Sequence, residues 1–394
     1  MYKKYDICII GGGASGMTAA IKAKRENPDL SLVILEKNNL LGKKLKATGN
    51  GRCNMTNIDA LNYLENLKFF SNLGFVSAVE DNRVYPYSFD SGDIVNLLKD
   101  KIVDLNIDIE TNASVNDIYK KGDSFYIIYG QKTLLAKKLL ISCGGKAAPE
   151  FGTTGDGYRF AKEFGHKVTS LAPILVPVEC KGEFKHLKGV RAKGYLSLLN
   201  KDIKTFSEYG ELQFTDYGVS GICVFNATRF MKFDENKSLN NYMIYFDFAP
   251  NVDIFDYLAN KIEEALKYNS KEKCKNILRS VVKEKLSNEI IKKAGIKNEK
   301  LLKDLTESEI KMINRLLHSY PIKPMKLKGW KLAQCTSGGV DLNEINCLTM
   351  ESLLCSGLYF SGEVIDYDGP CGGYNLDNSW FTGIKAGESM ANSL

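Results

Sequence analysis

The first sixteen residues constrain the fold of this chain more than any other segment. Residues 5–16 read Tyr-Asp-Ile-Cys-Ile-Ile-Gly-Gly-Gly-Ala-Ser-Gly. Ile7–Ile10 is typical of a short buried strand, and Met17–Lys24 of an alanine-rich helix. Between them, Gly11, Gly13 and Gly16 have G-x-G-x-x-G spacing. A strand, a tight glycine turn and a helix N-terminus together place backbone N–H groups and a positive dipole end against a pyrophosphate.

A second strand with an acidic residue at its end strengthens this interpretation. Leu32–Leu35 is apolar throughout and is followed by Glu36. An acidic side chain at this distance from the glycines binds the ribose hydroxyls of an adenosine half. Strand, turn, helix, strand and acid in register predict a dinucleotide-binding α/β domain. We expect replacement of Glu36 by Ala to weaken cofactor binding while leaving the fold intact.

Length and composition indicate a protein of more than one packed unit. The chain has 394 residues, of which 44% are hydrophobic and 25% charged, enough for two or three units. No segment reaches the roughly 18 apolar residues that span a bilayer. Lys3 and Lys4 before an apolar run imitate a signal peptide, but Asp6 and the glycines argue against one. We therefore expect a cytoplasmic protein.

The ten cysteines are scattered, and no C-x-x-C pair occurs. A reduced compartment accounts for them more simply than disulfides do. Only Cys53 and Cys371 lie inside glycine-rich motifs. Either is a candidate redox residue, although a structural role is the simpler interpretation because reactivity requires an activating environment.

The net charge of +6 comes from one segment. Residues 261–303 hold twelve lysines and one arginine against six glutamates, and the remainder is close to neutral. Most of these cations are lysines, whereas arginine is the better hydrogen-bonding partner for phosphates and bases. The pattern favours a solvated helical face, with an RNA-binding patch as the alternative.

The pattern along the chain predicts a discontinuous domain with an insert. Short strands with alternating polarity begin near residue 184, and helical periodicity follows from 252. The glycine-rich pattern of strands and helices seen at the start of the chain returns at 338. We therefore divide the chain into five stretches: 1–183, first part of the nucleotide-binding domain; 184–251, β-rich insert; 252–324, helical insert; 325–337, return strand; and 338–394, second part of the nucleotide-binding domain.

Three further motifs carry chemistry. Gly42-Lys43-Lys44 with the loop 48–54 (Thr48, Gly49, Asn50, Gly51, Arg52, Cys53 and Asn54) combines glycines with cations, and its place after Glu36 suits the same ligand. In the second motif, 152–157, Asp156 is either a ligand or a helix N-cap.

The third motif lies at 358–375. A strand there leads to Glu363 and Asp366, and Gly372-Gly373-Tyr374-Asn375 opens a helix. This second helix start suits a long ligand with phosphate at one end and a redox ring at the other. Gly373 either lets the backbone approach that ring or only makes the turn.

Together these blocks resemble one known family. GGGASG…LEK, ATGNGRCNMTN and GEVIDYDGPCGGYNLDNSWFTGIKAG are similar to motifs of the BaiN-like, or aminoacetone oxidase, family of FAD-binding enzymes. CGGKAAPEFGTTGDGY and GELQFTDYGVSGICVFNATR resemble that family too, so the match covers essentially the whole chain. Pro370-Cys371 departs from the Pro-Thr common in the family, so any role of Cys371 is particular to this chain.

The resemblance implies an α/β fold: a discontinuous Rossmann-like FAD-binding domain made from both chain ends, with an inserted subdomain that is β-barrel-like and helical. It implies that FAD is surrounded by Gly11, Gly13, Gly16, Glu36, Lys37, the loop 48–54, Gly362, Asp366, Gly373 and Asn375. To these we add, from their place in or beside the same motifs, Ala14, Ser15, Gly42, Lys43, Lys44, Val115, Gly144, Glu363, Gly372 and Tyr374.

Other chemistries are disfavoured. Gly218–Ile222 lacks the last glycine of a nucleophile elbow, and no Walker A motif occurs. His166, His186 and His318 are too dispersed to suggest a metal site. No catalytic residue is assigned from the sequence. Since histidine is scarce, an acid or base would be Tyr, Asp, Glu or the flavin.

The leading hypothesis is an FAD-dependent oxidoreductase that moves a hydride between flavin and a small organic substrate beneath the insert. There is no second G-x-G-x-x-G, so NAD(P)H, if used, docks transiently rather than on its own domain. The alternative is a flavin-containing RNA-binding or RNA-modifying protein that uses the lysine-rich helices. A third possibility is a regulatory flavin-binding protein without turnover.

Overall fold

A computed structural model describes residues 2–231 and 238–394. The chain forms two compact units: Met1–Pro173 with Trp330–Leu394, and Ile174–Gly329. The first unit therefore joins both ends of the chain, and the second is inserted within it. No helix among the described residues is long and apolar enough to cross a lipid bilayer.

The first part of the chain alternates strands and helices. Its strands are β1 (Lys3–Ile10), β2 (Leu32–Leu35), β3 (Thr56–Asn57), β4 (Ser77–Glu80), β5 (Arg83–Pro86), β6 (Asp108–Glu110), β7 (Val115–Lys121), β8 (Ser124–Tyr129), β9 (Lys132–Ile141) and β10 (Ala172–Ile174). Its helices are α1 (Ala14–Glu26), α2 (Lys43–Lys46), α3 (Tyr63–Ser71), α4 (Ser91–Asp104) and α5 (Asp156–Glu163).

The inserted unit contains β11 (Val178–Cys180), β12 (Arg191–Asn200), β13 (Ile203–Phe214), β14 (Gly218–Ser220), α6 (Ile222–Thr228), β15 (Tyr242–Asp247), α7 (Ile254–Lys267), α8 (Glu284–Lys293), α9 (Glu307–His318), β16 (Tyr320–Ile322) and β17 (Pro324–Leu327). Its sheet has the order β16-β15-β12-β13-β14-β11-β17. The two edge strands are separated in the chain by Lys323 alone, so the sheet must curl until its edges approach each other. This is the barrel-like, partly helical insert that the sequence predicts.

The chain then returns to the first unit through β18 (Cys335–Ser337), β19 (Leu358–Phe360) and α10 (Tyr374–Asn392). The main sheet there has the order β6-β2-β1-β9-β8-β7, and β19 also pairs with β9. The pairs β2–β6, β1–β2, β1–β9 and β9–β19 are parallel, as in a Rossmann-like domain. β7, β8 and β9 form an antiparallel meander.

Helices α1 and α10, from opposite ends of the chain, pack closely against each other. A Cβ at Gly383 would lie 2.3 Å from the carbonyl oxygen of Ser15, and one at Gly387 would lie 2.3 Å from that of Ala19. Both distances are too short for any side chain, so glycine is required at both positions. Trp380, on the same helix, is fully buried and donates from Nε1 to the Met55 carbonyl at 2.9 Å. This packing fixes the start of α10 relative to the start of α1.

A buried histidine holds the segment before β19. The Ser352 hydroxyl accepts from the N–H groups of Leu354 and Cys355, so it donates to His166 Nε2 at 2.7 Å. His166 Nδ1 then donates to Glu344 Oε2 at 3.1 Å. The ring is 3% exposed and contacts Phe360 edge-on. Burial lowers the pKa of His166, although Glu344 opposes the shift.

We expect this histidine to make the protein less stable at mildly acidic pH. Its folded pKa lies below the unfolded value of 6.5, so below that pH the unfolded chain binds a proton that the native state does not. The free energy of unfolding should fall by up to about 1.4 kcal/mol per pH unit in the window that opens below about pH 6.5 and closes at the folded pKa. Urea titrations across this window measure the slope, and His166→Gln should flatten it. An equal slope in that variant would assign the effect to other groups.

Candidate cofactor site

The carboxyl ends of four parallel strands meet at one edge of the main sheet. Ile10 of β1 pairs with Leu35 of β2 and Ile141 of β9, and Ile141 pairs with Phe360 of β19. The residues that follow these strands lie side by side: the glycine turn, Glu36, Gly144 and Gly362. Motifs 350 residues apart in sequence are thus brought together. This is the edge at which open α/β sheets bind ligands.

The three glycines of the first turn have different structural roles. A Cβ at Gly11 would lie 2.5 Å from the Ser142 carbonyl oxygen, and one at Gly16 would lie 2.0 Å from that of Gly11. A Cβ at Gly13 would meet no atom within 4 Å. The first intrahelical bond of α1 is donated by Met17 to Gly13, so the N–H groups of residues 14–16, including those of Ala14 and Ser15, have no intrahelical acceptor. The open side of Gly13 and these donors form a cradle for an anion.

Glu36 is buried at the end of β2, with 7% of its surface exposed. Its Oε2 accepts from the N–H of Gly12 at 2.8 Å. Its Oε1 accepts from the backbone N–H and the side-chain amide of Asn38, at 2.8 and 2.7 Å. The carboxylate therefore ties the glycine turn to the end of β2, and Oε2, which accepts a single hydrogen bond, has acceptor capacity left for a ligand hydroxyl.

Lys37 joins the end of β2 to the turn before α5. Its Nζ lies 2.6 Å from Asp156 Oδ2 and donates to the Thr154 hydroxyl at 2.7 Å. Asp156 is the first residue of α5, and the N-cap position is taken by Gly155. Of the two interpretations of Asp156, the N-cap is wrong, because its carboxylate instead pairs with Lys37. Val115 begins β7, two residues after Ala113, whose N–H donates to the Glu36 carbonyl, and so lies at this same end.

The loop after α2 turns sharply and binds the hairpin β4–β5. Asn50 and Cys53 both have left-handed backbone, with φ of 55° and 54°. Arg52 pairs with Glu80 and stacks over the rings of Tyr85 and Phe89, at 4.4 and 4.6 Å. The Arg52 side chain is therefore engaged within the protein. Lys43, Gly49 and Asn50 are exposed, and Gly42 starts α2 with φ of 71°.

Lys44 and Glu363 form an ion pair between the two chain ends. Lys44 Nζ lies 2.6 Å from Glu363 Oε2, with the two side chains 25% and 16% exposed. Glu363 Oε1 accepts from the N–H of Thr336 at 2.9 Å, and the Tyr158 hydroxyl donates to the Glu363 carbonyl. Thr336 was not among the expected site residues, because nothing in its local sequence marks it. Asp366, three residues on, is half-buried, and its N–H donates to the Val340 carbonyl at 3.0 Å.

The start of α10 is held by hydrogen bonds to the turn before it and to the loop that contains Asn54. Asn375 exchanges two bonds with the backbone of Gly369, at 2.8 and 2.9 Å. The Asn54 amide, oriented to satisfy both neighbours, donates to the Thr56 carbonyl and accepts from the Gly373 N–H. Asp377 gives the first intrahelical bond, to Gly373, which leaves the N–H groups of residues 374–376 without an intrahelical acceptor.

Gly373 is required by protein contacts. Its φ is 102°, and a Cβ there would lie 2.6 Å from the carbonyl carbon and oxygen of Thr56. Gly372 also has positive φ, at 122°. These contacts support the interpretation in which the glycine pair makes the turn. Replacement of Gly373 by Asp would therefore disturb the fold and is unsuitable as a probe of a bound ring.

Asp377 forms a buried network that the sequence analysis missed. It is 2% exposed and accepts from the Thr56 hydroxyl at 2.6 Å and the Asn66 amide at 2.7 Å. It also lies in the first turn of α10, where a negative charge is favoured by the helix dipole. Its partners are more than 300 residues away in the chain, so no local signal could have found them.

None of the cysteines in the described part of the chain forms a disulfide. Burial raises the pKa of Cys53 to about 12 and that of Cys335 well above its usual range, so neither is a thiolate near neutral pH. Cys371 is half-buried, with Sγ 3.8 Å from Gln334 Oε1. The structural interpretation of Cys53 is the one that its burial supports.

The site fits FAD on its own geometry. An anion cradle stands at the start of α1, a buried carboxylate lies at the end of β2, and a second helix start, α10, stands at the same sheet edge. The residues that would hold the cofactor are the N–H donors of residues 14–16 for the pyrophosphate, Glu36 for the ribose and the N–H donors of residues 374–376 for the ring. Bound FAD supplies hydride-transfer chemistry.

Comparison with known proteins agrees with this geometry. Residues 5–389 match the HI0933-like protein Rossmann domain. The chain is 31% identical, over 98% of both sequences, to a 3-dehydro-bile acid delta(4,6)-reductase of Clostridium scindens. It is 27% identical to ribosomal RNA dihydrouridine synthases of Haemophilus influenzae, over 97% of this chain and 98% of that protein, and of Escherichia coli, over 96% of each. The resemblance to BaiN-like flavoproteins is confirmed.

Proposed function

The chain belongs to the HI0933-like Rossmann-domain family of flavoprotein oxidoreductases, and from this premise we propose that it is an FAD-dependent reductase of carbon–carbon double bonds. The substrate in this proposal is a small organic molecule whose double bond is conjugated to a carbonyl, and the electron donor is NAD(P)H. The observation that carries the proposal is the shared sheet edge, where both helix starts and Glu36 meet.

The names of the relatives support this class of substrate. One relative is a reductase of a delta(4,6) bile acid with an oxidised 3-position, and two make dihydrouridine in ribosomal RNA. Each of these reactions adds hydrogen across a carbon–carbon double bond that is conjugated to a carbonyl. The common chemistry is therefore hydride addition to an electron-poor alkene, and the size of the substrate varies.

The chain's own groups suit a redox site of this kind. The unpaired N–H donors of residues 374–376, with the dipole of α10 behind them, stabilise negative charge placed before them. The Lys44–Glu363 pair lies beside Thr336 and Tyr158 and joins the two chain ends at this site. The partner Glu363 fixes the position of the Lys44 side chain at this site.

Anaerobic mixing tests the donor and the acceptor separately. NADH or NADPH should bleach the visible absorbance of the FAD-loaded protein without dioxygen. A conjugated enone, such as a delta-4 3-oxosteroid, should then restore the colour, and the matched saturated ketone should not. Failure of both nucleotides to bleach would remove NAD(P)H from the proposal. An equal response to the enone and the saturated ketone would contradict the proposal that the carbon–carbon double bond is the group reduced.

A second candidate substrate is uridine in RNA, favoured by the lysines of the inserted unit. Lys271, Lys283, Lys285, Lys292 and Lys297 are exposed, and none of them pairs with a carboxylate among the described residues. RNA binding through these cations should weaken steeply with salt, with a log–log slope of about −0.7 for each phosphate contacted. No binding of ribosomal RNA fragments at low salt would remove this candidate.

A further inference from the structure

A basic cleft lies on α5 in the FAD-binding unit, apart from the residues assigned to the cofactor. The cleft is open and has a volume of about 520 Å³, within the range of small-molecule sites. Its wall includes Lys146, Gly155, Tyr158, Arg159 and Lys162. Thr154, of the 152–157 motif that also contains Gly155, lies in the same wall.

The cleft carries more positive charge than its carboxylate can offset. Arg159 pairs with Glu163 at 2.7 Å and donates to the Asn116 carbonyl at 2.9 Å, so its charge is compensated. Lys146 and Lys162 make no ion pair with a carboxylate of residues 2–231 or 238–394. Two uncompensated ammonium groups in one cleft suit a dianion such as a phosphate monoester.

An aromatic ring and a backbone bond hold Lys146 in place. Its Nζ lies 5.1 Å from the centroid of the half-buried Trp330 ring, and the Trp330 carbonyl accepts from the Ala148 N–H at 2.8 Å. Only two tryptophans occur in the chain, and the other, Trp380, is fully buried. Trp330 emission is therefore a reporter for occupancy of this cleft.

The cleft shares its walls with the cofactor site. The Lys146 N–H donates to the Thr336 hydroxyl at 2.8 Å, and the Thr336 N–H donates to Glu363, the partner of Lys44. On the other side, the Thr154 hydroxyl accepts from Lys37 at 2.7 Å. A nucleotide held in this cleft would lie directly beside the cofactor site.

We propose that this cleft binds a phosphate monoester on the ribose of a nucleotide, with Lys146 and Lys162 as its ligands, and that this group is the 2′-phosphate of NADPH. The inference rests on the proposed function insofar as it takes NAD(P)H as the electron donor. Such a site makes the enzyme selective for NADPH over NADH, and it explains how a chain with a single G-x-G-x-x-G motif recognises that donor.

Calorimetric titration of the FAD-loaded protein tests the site without turnover. Adenosine 2′,5′-bisphosphate should bind at least about tenfold more tightly than AMP, and its binding should change the emission of Trp330. Lys146→Gln and Lys162→Gln should each weaken the bisphosphate about tenfold and leave AMP unchanged. Lys162→Arg should retain most of the affinity. Lys68→Gln, an exposed lysine of α3, is the matched control and should bind like the parent.

The outcomes distinguish NADPH from RNA as the source of the phosphate. They also test the phosphate site separately from the proposed function. Equal binding of AMP and the bisphosphate, or unchanged affinity in both glutamine variants, would overturn the site. Competition by single-stranded RNA that is lost in the same variants would assign it to nucleic acid instead. If the bisphosphate binds as expected but NADPH does not bleach the protein, the donor in the proposed function is wrong, and the phosphate site is still supported.

Discussion

A Gly13→Asp protein is expected to fold normally and to lose FAD. Gly13 has φ of −84° and ψ of −166°, which any residue adopts, and a Cβ there would meet no protein atom. The carboxylate would stand at the unpaired N–H groups of α1, where the cofactor's pyrophosphate is expected. It would occupy the donors and repel the phosphates, so the FAD affinity should fall about a hundredfold or more, equivalent to roughly 3 kcal/mol.

The measurement is the FAD content of the purified protein, together with thermal unfolding of the cofactor-free form. Gly329→Asp is the matched control, because a Cβ at Gly329 also meets no atom within 4 Å and its position is outside the cradle. That variant should retain FAD. Full FAD content in Gly13→Asp would mean that the cofactor does not approach the start of α1.

Replacement of Glu36 by Ala should reduce both the stability and the FAD affinity. From the sequence alone, only the second effect is expected. The buried carboxylate, however, accepts from the Gly12 N–H and from two N–H groups of Asn38. Its loss leaves buried donors unpaired, and we expect the free energy of unfolding of the cofactor-free protein to fall by about 2–4 kcal/mol.

Denaturant titrations of the cofactor-free and FAD-loaded forms separate the two effects. The difference in stability between these forms measures FAD binding, and it should be smaller in Glu36→Ala than in the parent. In Glu36→Gln, which keeps one acceptor oxygen, this difference in stability should lie between the values for the parent and for Glu36→Ala. If the stability falls but the increment from FAD stays the same, Glu36 supports the turn and does not bind the ribose.

The local elements of the first unit were predictable from the sequence. β2 has the bounds expected for it, Leu32–Leu35, because four apolar residues are bounded by polar ones. The pattern of residues 107–119 is typical of one strand, but the structure divides this stretch into β6 and β7. Asn112 lies between them with φ of 54°, a left-handed turn that apolar patterning does not reveal. Local periodicity thus identifies helices and strands, but it does not reveal turns inside apolar runs.

The arrangement of the site depends on contacts that no local pattern carries. The glycine spacing predicts the cradle, but the long-range bonds of Thr336, Asn54 and Asp377 join the first part of the chain to the part that follows residue 330. Gly383 and Gly387 look like ordinary helical residues until α1 is placed against them. Such long-range pairs are consequences of the fold, and so they can be read only from the structure.

The most direct test of the proposed function is the acceptor half-reaction. The FAD-loaded protein is reduced without dioxygen, mixed with a delta-4 3-oxosteroid, and followed by its visible absorbance, with the organic product identified by mass. We expect rapid return of the oxidised spectrum and a product heavier by two hydrogen atoms. Persistence of the reduced spectrum with this and other conjugated enones, followed by immediate reoxidation when dioxygen is admitted, would contradict the proposal and indicate an oxidase.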